Sequence, residues 1–242
     1  MGAEWSACLQ TLEGHSGSAK SVTFSHDSTR LASASDDCTI NIWDSGSITC
    51  LQTLKGHSCS AKSVTFSHDS TRLASGSDDG TIKIWDASSG ICLQTLDSHY
   101  YPFCSVAFSR DSTRLASVSW APLSHDTVII WDVGSGARLQ TLNIGKNVGI
   151  ISFDTTSSCL LTDIGIIAID TPSVLDTTTQ GLGEYNGPQY QGVGLSSDRK
   201  WITCNSERLV WLPSEYRPSC SAVSGMKIVI GTGVGNVWVY NL

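Results

Sequence analysis

The sequence predicts an all-β fold assembled from repeated four-stranded units. Two long segments, Cys8–Asp44 and Cys50–Asp86, are nearly identical and lie 42 residues apart. Within each segment, short runs that alternate apolar and polar residues are separated by turn residues, which is the pattern of half-buried strands. Charged residues make up only 15% of the 242 residues, so long solvent-exposed helices are not indicated.

Each repeat contains four candidate strands. In the first copy SVTF alternates, SHDS forms a turn, RLASAS and TINIW alternate around an Asp-Cys turn, and LQTL supplies a fourth strand. Over 37 aligned positions the two copies differ at only five, which are Glu13/Lys55, Gly17/Cys59, Ala34/Gly76, Cys38/Gly80 and Asn41/Lys83. Such a recurring unit predicts a blade of a β-propeller, in which blades stack radially and cover each other's faces.

A third copy and a weaker tail continue the pattern. The third copy begins at Cys92, ends at Trp131-Asp132 and carries four additional residues, and the repeat then decays. We predict one propeller domain over residues 1–242 with six blades, and a seven-bladed or incomplete ring is the alternative. The predicted regular repeats are 8–49, 50–91 and 92–137, and the predicted degenerate blades are 138–170, 171–213 and 214–242.

The LQTL run of each repeat is expected to be the outer strand of the preceding blade. The first such run, Leu9–Leu12, is therefore expected to pair with the last blade near Val237–Tyr240 and to close the ring, which would remove an exposed sheet edge. The alternation also places three phenylalanines, Phe24, Phe66 and Phe108, on the core face of their strands.

Two dipeptides recur in register with the repeat. Gly-His stands at Gly14 and Gly56, and Trp-Asp stands at Trp43, Trp85 and Trp131. This pattern resembles the WD-repeat family, which implies a WD40-type β-propeller. The tail, with its runs LQTLNIG and GLSSDRKWIT, is similar to the C-terminal WD-repeat region of fungal NACHT–WD proteins, which are NOD-like receptors. That similarity implies a cytosolic detector of self or non-self molecules.

Every regular repeat also contains Ser, His, Asp and Trp. The three sets are His15, Ser33, Asp37, Trp43; His57, Ser75, Asp79, Trp85; and His99, Ser117, Asp126, Trp131. Ser, His and Asp are the components of a hydrolytic triad, but a triad occurs once per active site, whereas this set occurs once per blade. The WD-repeat resemblance implies a buried hydrogen-bond network instead. We therefore expect no enzyme, no catalytic residue and no cofactor. The His-Asp pairs of the SHDS turns lie on different blades, so no metal site is expected either.

The loops are the expected binding surface, because loops on a rigid scaffold commonly carry function. Divergent and aromatic residues concentrate there while the strands stay nearly constant. The expected contact patch consists of Tyr100, Tyr101, Trp120 and His125, surrounded by Glu13, Gly17, Lys55 and Cys59. The alternative for Trp120 is that it folds back over its own loop.

Charge and cysteine content restrict the partners and the compartment. The net charge of −7 and the lack of a basic stretch argue against nucleic acid and anionic membranes as partners. The Gly2 context fits the short N-myristoylation pattern, but stable anchoring needs two signals. Nine cysteines without a CxxC pair indicate free thiols in a reducing, cytoplasmic setting. The predicted function is non-catalytic recognition of a protein or of a microbial or self ligand. A generic adaptor for cytosolic complexes is the alternative, and an enzyme on a propeller scaffold is the third interpretation.

Overall fold

The computed structural model describes residues 11–97, 102–120, 126–144, 148–149, 151–169, 190–196, 198–224, 226–232 and 236–241. These residues form antiparallel sheets with a single 3-10 turn at Ser214–Tyr216, and the predicted all-β class is confirmed. Strands that are neighbours in the sequence are neighbours in each sheet, and within the three sheets of the regular repeats the strands follow one another at short sequence separation. Among the described residues, no helix has the length and apolarity needed to cross a membrane.

The three regular repeats form three four-stranded sheets. The first sheet consists of β1 to β4, at Ala19–Phe24, Arg30–Ser35, Thr39–Asp44 and Cys50–Lys55. The second consists of β5 to β8, at Ala61–Phe66, Arg72–Ser77, Thr81–Asp86 and Cys92–Asp97. The third consists of β9 to β12, at Phe103–Phe108, Arg114–Ser119, Thr127–Asp132 and Arg138–Asn143. The strands that open the second and third repeats are thus the outer strands of the first and second sheets, as expected.

The tail forms three further sheets with shorter strands. The fourth sheet consists of β13 to β16, at Ile151–Phe153, Cys159–Thr162, Gly165–Ala168 and Tyr190–Gln191. The fifth consists of β17 to β19, at Val193–Leu195, Trp201–Cys204 and Glu207–Trp211. The sixth consists of β20 to β22, at Pro218–Ser224, Lys227–Thr232 and Val237–Asn241. The described residues therefore contain six sheets, of which the last two have three strands.

Aspartates fix the turns between the strands. After β1, Asp27 Oδ1 accepts hydrogen bonds from the Ser25 hydroxyl at 2.6 Å and from Thr29 N at 3.0 Å. Ser28 takes a positive φ of 59° at this turn. After β3, Asp44 Oδ1 accepts from Ser47 N at 2.6 Å. A carboxylate that satisfies the backbone of its own turn explains why the strands end at these residues.

The core lies between sheets. One cluster of buried residues joins the first two sheets. The first sheet contributes Ala32, Ala34, Ile40, Ile42 and Leu54, and the second contributes Ala61, Val64, Phe66, Leu73 and Trp85. Small residues on the middle strand let the opposing phenylalanine and valine approach the backbone. A similar cluster joins the second and third sheets. The regular sheets are therefore held together by one repeated apolar interface.

One prediction about the core was wrong. Phe24 was expected on a core face with Phe66, yet its side chain is 64% exposed while that of Phe66 is 2% exposed. Both occupy the same position of identical strands, β1 and β5. The difference arises because Phe66 packs against the first sheet, whereas none of the described sheets covers Phe24.

Closure of the ring is not found among the described residues. The face of β1 is open, and on the sixth sheet Val237 and Val239 are 69% and 66% exposed. Residues 9 and 10 of the expected closing strand lie outside the described residues. Its other two residues, Thr11 and Leu12, are described and belong to no strand. The predicted pairing with Val237–Tyr240 therefore has no counterpart in the described sheets.

Candidate functional site

The first Ser-His-Asp-Trp set forms a continuous chain of hydrogen bonds. Trp43 Nε1 donates to Ser33 Oγ at 2.9 Å, and Ser33 Oγ lies 2.8 Å from His15 Nε2. His15 Nδ1 lies 3.1 Å from Asp37 Oδ2. Because the serine oxygen accepts from the indole, its own proton points to the imidazole, which leaves Nδ1–H to donate to the carboxylate. The set joins the loop that precedes β1 to the first sheet.

The second set repeats this geometry with deeper burial. Trp85 Nε1 donates to Ser75 Oγ at 2.9 Å, His57 Nε2 lies 2.8 Å from that oxygen, and His57 Nδ1 lies 2.9 Å from Asp79 Oδ2. Burial lowers the pKa of His57, although Asp79 opposes the change. Burial disfavours ionised Asp79, but hydrogen bonds from Thr81, Ser58 and His57 outweigh it and lower the pKa of the carboxyl. The pair is a neutral imidazole held by a carboxylate.

The third set departs from the first two. Trp131 Nε1 donates to Ser117 Oγ at 2.8 Å, so the tryptophan–serine half is present. Asp126 is almost completely buried, and its Oδ2 accepts a hydrogen bond from Val148 N at 3.2 Å. His99 lies outside the described residues. Asp126 directly precedes Thr127, the first residue of β11. Asp37 and Asp79 instead stand two residues before the first residues of β3 and β7. This aspartate therefore connects the third sheet to the next segment of chain.

The arrangement is suited to holding strands and not to nucleophilic chemistry. Ser33 and Ser75 are buried, and each oxygen accepts from a tryptophan indole, so neither is presented to a substrate. Within the described part of the chain, no group of three or more metal-ligating side chains lies together. The two turn histidines do meet across blades, with His26 Nε2 and His68 Nδ1 3.0 Å apart.

Beyond these networks, a ladder of ion pairs crosses the loop end of the first two sheets. Lys20 Nζ lies 2.7 Å from Asp36 Oδ2, and Lys62 Nζ lies 3.6 Å from Asp36 Oδ1 and 3.0 Å from Asp78 Oδ2. Ser60 Oγ also donates to Asp36 Oδ1 at 2.5 Å. The hydrogen bonds from Lys20 and Ser60 lower the pKa of Asp36 to about 2. Asp36 is thus held from both sides, by its own sheet and by the next.

The ladder breaks at the third sheet. By strand register Pro102 stands where Ser60 stands in the second sheet, and Trp120 stands where Asp36 and Asp78 stand. The backbone contact is the same, since Trp120 N donates to Pro102 O at 3.0 Å and Asp78 N donates to Ser60 O at 3.0 Å. The side chains differ completely, because a proline offers no hydroxyl and an indole no charge. Asp78 therefore lacks the serine donor from the next sheet that Asp36 has.

A groove forms at this break. Its volume is about 700 Å³, and it is lined by Lys20, Lys62, Asp78, Pro102, Phe103 and Trp120. Phe103 is buried, whereas Trp120 is 49% exposed. The lining thus combines two lysines and an aspartate with two aromatic rings and a proline. A concave site with an apolar body and a few polar groups is the usual form of a binding pocket.

The repeats are matched along their full length by the family model described as WD domain, G-beta repeat. The matched residues are 6–44, 48–86 and 90–132, which together make up half of the chain. The chain belongs to the WD40 repeat family. Domains of this family typically serve as protein-interaction scaffolds and typically have no catalytic role. The resemblance inferred from the Gly-His and Trp-Asp pattern is confirmed.

A curated relative extends the comparison. Vegetative incompatibility protein HET-E-1 of Podospora anserina is 47% identical to this WD40 domain over 99 residues. Those residues make up 41% of this chain and 7% of HET-E-1, so the chain spans only a small part of its relative. HET-E-1 is a fungal NACHT–WD protein, and the similarity lies in its WD region. The predicted likeness to fungal NACHT–WD proteins is therefore confirmed.

The structure places part of the predicted contact patch on the surface of the WD40 domain. Glu13, Lys55, Cys59 and Trp120 are exposed, and Gly17 is partly exposed. Gly17 lies against the turn after β2, where an added Cβ would come within 2.8 Å of Asp37 N. The other three members, Tyr100, Tyr101 and His125, lie outside the described residues. Of the expected central residues, Trp120 is the one that the structure connects to a groove.

The sequence analysis did not predict the ion-pair ladder. Lys20 and Asp36 lie in a strand and a turn that are identical in both copies, so a comparison of the first two copies does not distinguish them from the rest of the scaffold. A signal was nevertheless present. Aligning SASDD, SGSDD and SVSW shows that the third copy replaces the first aspartate of the pair with Trp120. An aspartate that is constant in two repeats and is replaced by an aromatic residue in the third therefore marks the position of the groove.

Proposed function

We propose that this WD40 domain is a non-catalytic recognition platform that binds a protein or another ligand through the groove that residues of its first three blades line. The observation that carries the proposal is the broken ion-pair ladder. Two blades neutralise their own charged residues, and the third instead presents a half-exposed Trp120 beside Asp78 and Lys62. Tryptophan buries a large area at low entropic cost, and for that reason it is enriched in binding hot spots.

The relative supports a proposal for the biological role. The name of HET-E-1 gives that protein a part in vegetative incompatibility, and the resemblance to fungal NACHT–WD proteins implies the detection of self or non-self molecules. We propose that this domain detects such molecules as the sensing part of a NOD-like receptor in the cytosol. The described cysteines that are free thiols fit a reducing compartment.

A matched pair of tryptophans tests the proposed site. Trp120 and Trp211 are both half exposed, at 49% and 51%, but Trp211 lies on β19 of the fifth sheet, which contributes no residue to the lining of the groove. The full chain is first screened against arrays of microbial glycans and of fungal and bacterial proteins. Any ligand found is then titrated against the Trp120→Ala and Trp211→Ala variants.

The expected result is a loss of at least about tenfold in affinity for Trp120→Ala, because truncating a hot-spot aromatic commonly costs more than 1.4 kcal/mol. Trp211→Ala should bind like the parent, and both variants should melt like it. Equal affinity of the two variants would move the site away from this groove. Ester or peptide hydrolysis by the parent that either variant retains would place a different activity on the domain.

A further inference from the structure

The turns that follow β1, β5 and β9 bring two imidazoles and a guanidinium to the lining of one cavity. The first two turns read SHDS and the third reads SRDS, so His26, His68 and Arg110 occupy the same position of three consecutive blades. All three residues are exposed. They line a cavity of about 730 Å³ between the first strands of the first four sheets. Lys20 and Lys62 line it at the starts of β1 and β5, so the histidines and the arginine mark its opposite end.

Hydrogen bonds between blades hold the backbone of these turns. His68 N donates to Ser112 Oγ at 3.1 Å, and Arg110 N donates to Ser157 Oγ at 3.1 Å. The turn of each blade is thereby fixed to the turn of the next one. A site whose backbone is already in place loses less conformational freedom when a ligand binds.

The two histidines are bonded to each other. His26 Nε2 and His68 Nδ1 are 3.0 Å apart, and the ring centroids are 3.8 Å apart. One of the two facing nitrogens must carry the hydrogen that joins them, so a neutral pair has a single N–H left for its two outer nitrogens, His26 Nδ1 and His68 Nε2. One added proton gives both outer nitrogens an N–H. The pair then carries one positive charge and offers two donors.

The free pair is held in its neutral form. Partial burial, followed by the positive charges of His68 and Arg110, lowers the pKa of His26, and the negative charge of Asp27 partly opposes this change. An anion bound between the imidazoles and the guanidinium would act in the same direction as Asp27 and would raise the pKa of the pair. Anion binding and uptake of a proton are therefore linked at this site.

The carboxylates nearby are engaged by their own turns. The turn after the first strand of each of the four sheets contains one aspartate, namely Asp27, Asp69, Asp111 and Asp154. Each of them accepts a hydrogen bond of 2.5 to 2.6 Å from a hydroxyl of its own turn. At the far end of the cavity, Lys20 and Lys62 are paired with Asp36 and Asp78. Within the described residues, Arg110 forms no ion pair with any carboxylate.

A metal ion is a poorer match for this cluster than an anion. A zinc site in a protein needs at least three protein ligands, and the described residues contain no group of three or more metal-ligating side chains. The facing nitrogens of His26 and His68 are occupied by their shared hydrogen, and the charge of Arg110 repels a cation. An anion instead uses the imidazole donors and the guanidinium together.

We propose that the cluster of His26, His68 and Arg110 binds a phosphate group and takes up one proton with it. The two outer imidazole N–H groups and the planar fork of the guanidinium supply several donors, which suits the oxygens of a tetrahedral dianion. A carboxylate, with two oxygens and one charge, uses fewer of them. The site lies apart from Trp120, so the proposal does not depend on the role of the groove that contains that residue.

The test measures binding of three ligands to the full chain by titration calorimetry. Sulfate has the shape and charge of a phosphate dianion and keeps that charge between pH 5.5 and 8, so any pH dependence of its binding reports protons on the protein. Inorganic phosphate and phenyl phosphate distinguish a free ion from an organic phosphate. Repeating each titration in buffers with different ionisation enthalpies counts the protons taken up.

The variants separate the charge of the arginine from the protons of the histidines. Arg110→Gln removes the guanidinium, and the double variant His26→Gln/His68→Gln removes the titrating groups. Arg217→Gln is the matched control, because Arg217 is also exposed but does not line the cavity. Each variant should melt like the parent, since all the substituted residues are exposed.

The affinity of the parent for sulfate should rise by up to about tenfold per pH unit as the pH falls from 8 to 6.5, with nearly one proton taken up per sulfate. Arg110→Gln should lower the affinity by at least about tenfold, because a charge-assisted contact is lost. Arg217→Gln and Trp120→Ala should bind like the parent. The double histidine variant should bind sulfate more weakly and with little dependence on pH.

Tighter binding of phenyl phosphate would assign the site to an organic phosphate, and tighter binding of inorganic phosphate to the free ion; both support the proposal. Equal affinity of the parent and Arg110→Gln would place the anion elsewhere. An unchanged pH dependence in the double histidine variant would remove the histidines from the site. Failure to bind any of the three ligands would overturn the proposal, and binding of Zn²⁺ that requires both histidines would then make the pair a metal site.

Discussion

Gly76 of the second blade lies directly against Phe103 of the third. A Cβ added to Gly76 would come within 3.0 Å of Phe103 Cβ and 3.3 Å of Val106 Cγ1. At the junction between the first and second blades the same two positions are Ala34 and Ala61, which share one core cluster. The replacement of alanine by glycine in the second copy is thus matched by the replacement of alanine by phenylalanine in the third.

Gly76→Ala should lower the free energy of unfolding by about 1–3 kcal/mol, because an added methyl overpacks the contact with Phe103. Phe103→Ala should lower it by about 3–5 kcal/mol by leaving a cavity. The double variant recreates the alanine pair of the neighbouring junction, so its loss should be smaller than the sum of the two. Urea denaturation of all four proteins measures this coupling. Strict additivity would mean that the two positions are independent.

His57→Ala should lower the free energy of unfolding by about 1–3 kcal/mol, since it leaves Ser75 and Asp79 with unsatisfied groups. In a double-mutant cycle with Ser75→Ala, the double variant should lose clearly less stability than the sum of the two single losses, because both variants break one network. Thermal and urea denaturation provide the measurements. A hydrolytic activity of the parent that disappears in His57→Ala would contradict the structural role of the network.

The same network should make stability depend on pH. Burial lowers the pKa of His57 below its ordinary value of 6.5, so the unfolded chain binds a proton at a higher pH than the folded one. The contribution of His57 is therefore complete above pH 6.5 and is lost as the pH falls through that value and below. The melting temperature of His57→Gln should fall less than that of the parent between pH 7.5 and 5.5. The same slope in the parent and in His57→Gln would count against this assignment.

Cys38→Gly should stabilise the domain by about 0.5–1 kcal/mol. Cys38 has a positive φ of 68°, and the equivalent turn of the second copy carries Gly80 at 79°. The left-handed conformation strains any residue with a Cβ, although glycine loses part of that gain through its freer unfolded state. Gly80→Ala is the reciprocal change and should destabilise. The prediction fails if both changes have the same sign in thermal denaturation.

The strands and repeats could be predicted because they depend on local alternation and turn residues, as in β1 and β5. The exposure of Phe24 could not, because it depends on which sheet lies opposite and not on the strand that carries the residue. The groove could be predicted only in part. Trp120 was expected on the binding face as part of an inserted loop, but it occupies the position of Asp36 and Asp78. Its relation to Lys62 and Asp78 requires the register between two blades, which one repeat alone does not specify.

The strand order of the regular sheets has a consequence for how the domain acquires its structure. Because each strand of these three sheets pairs only with its neighbours in sequence, the sheets depend on contacts of short sequence separation, which favours rapid folding. The regular blades can then form in the order of synthesis, with the second sheet complete once the chain has reached Asp97. Each blade offers the next a finished surface on which to assemble. Folding of this domain is therefore expected to propagate along the chain as a series of steps, in the manner of other repeat proteins.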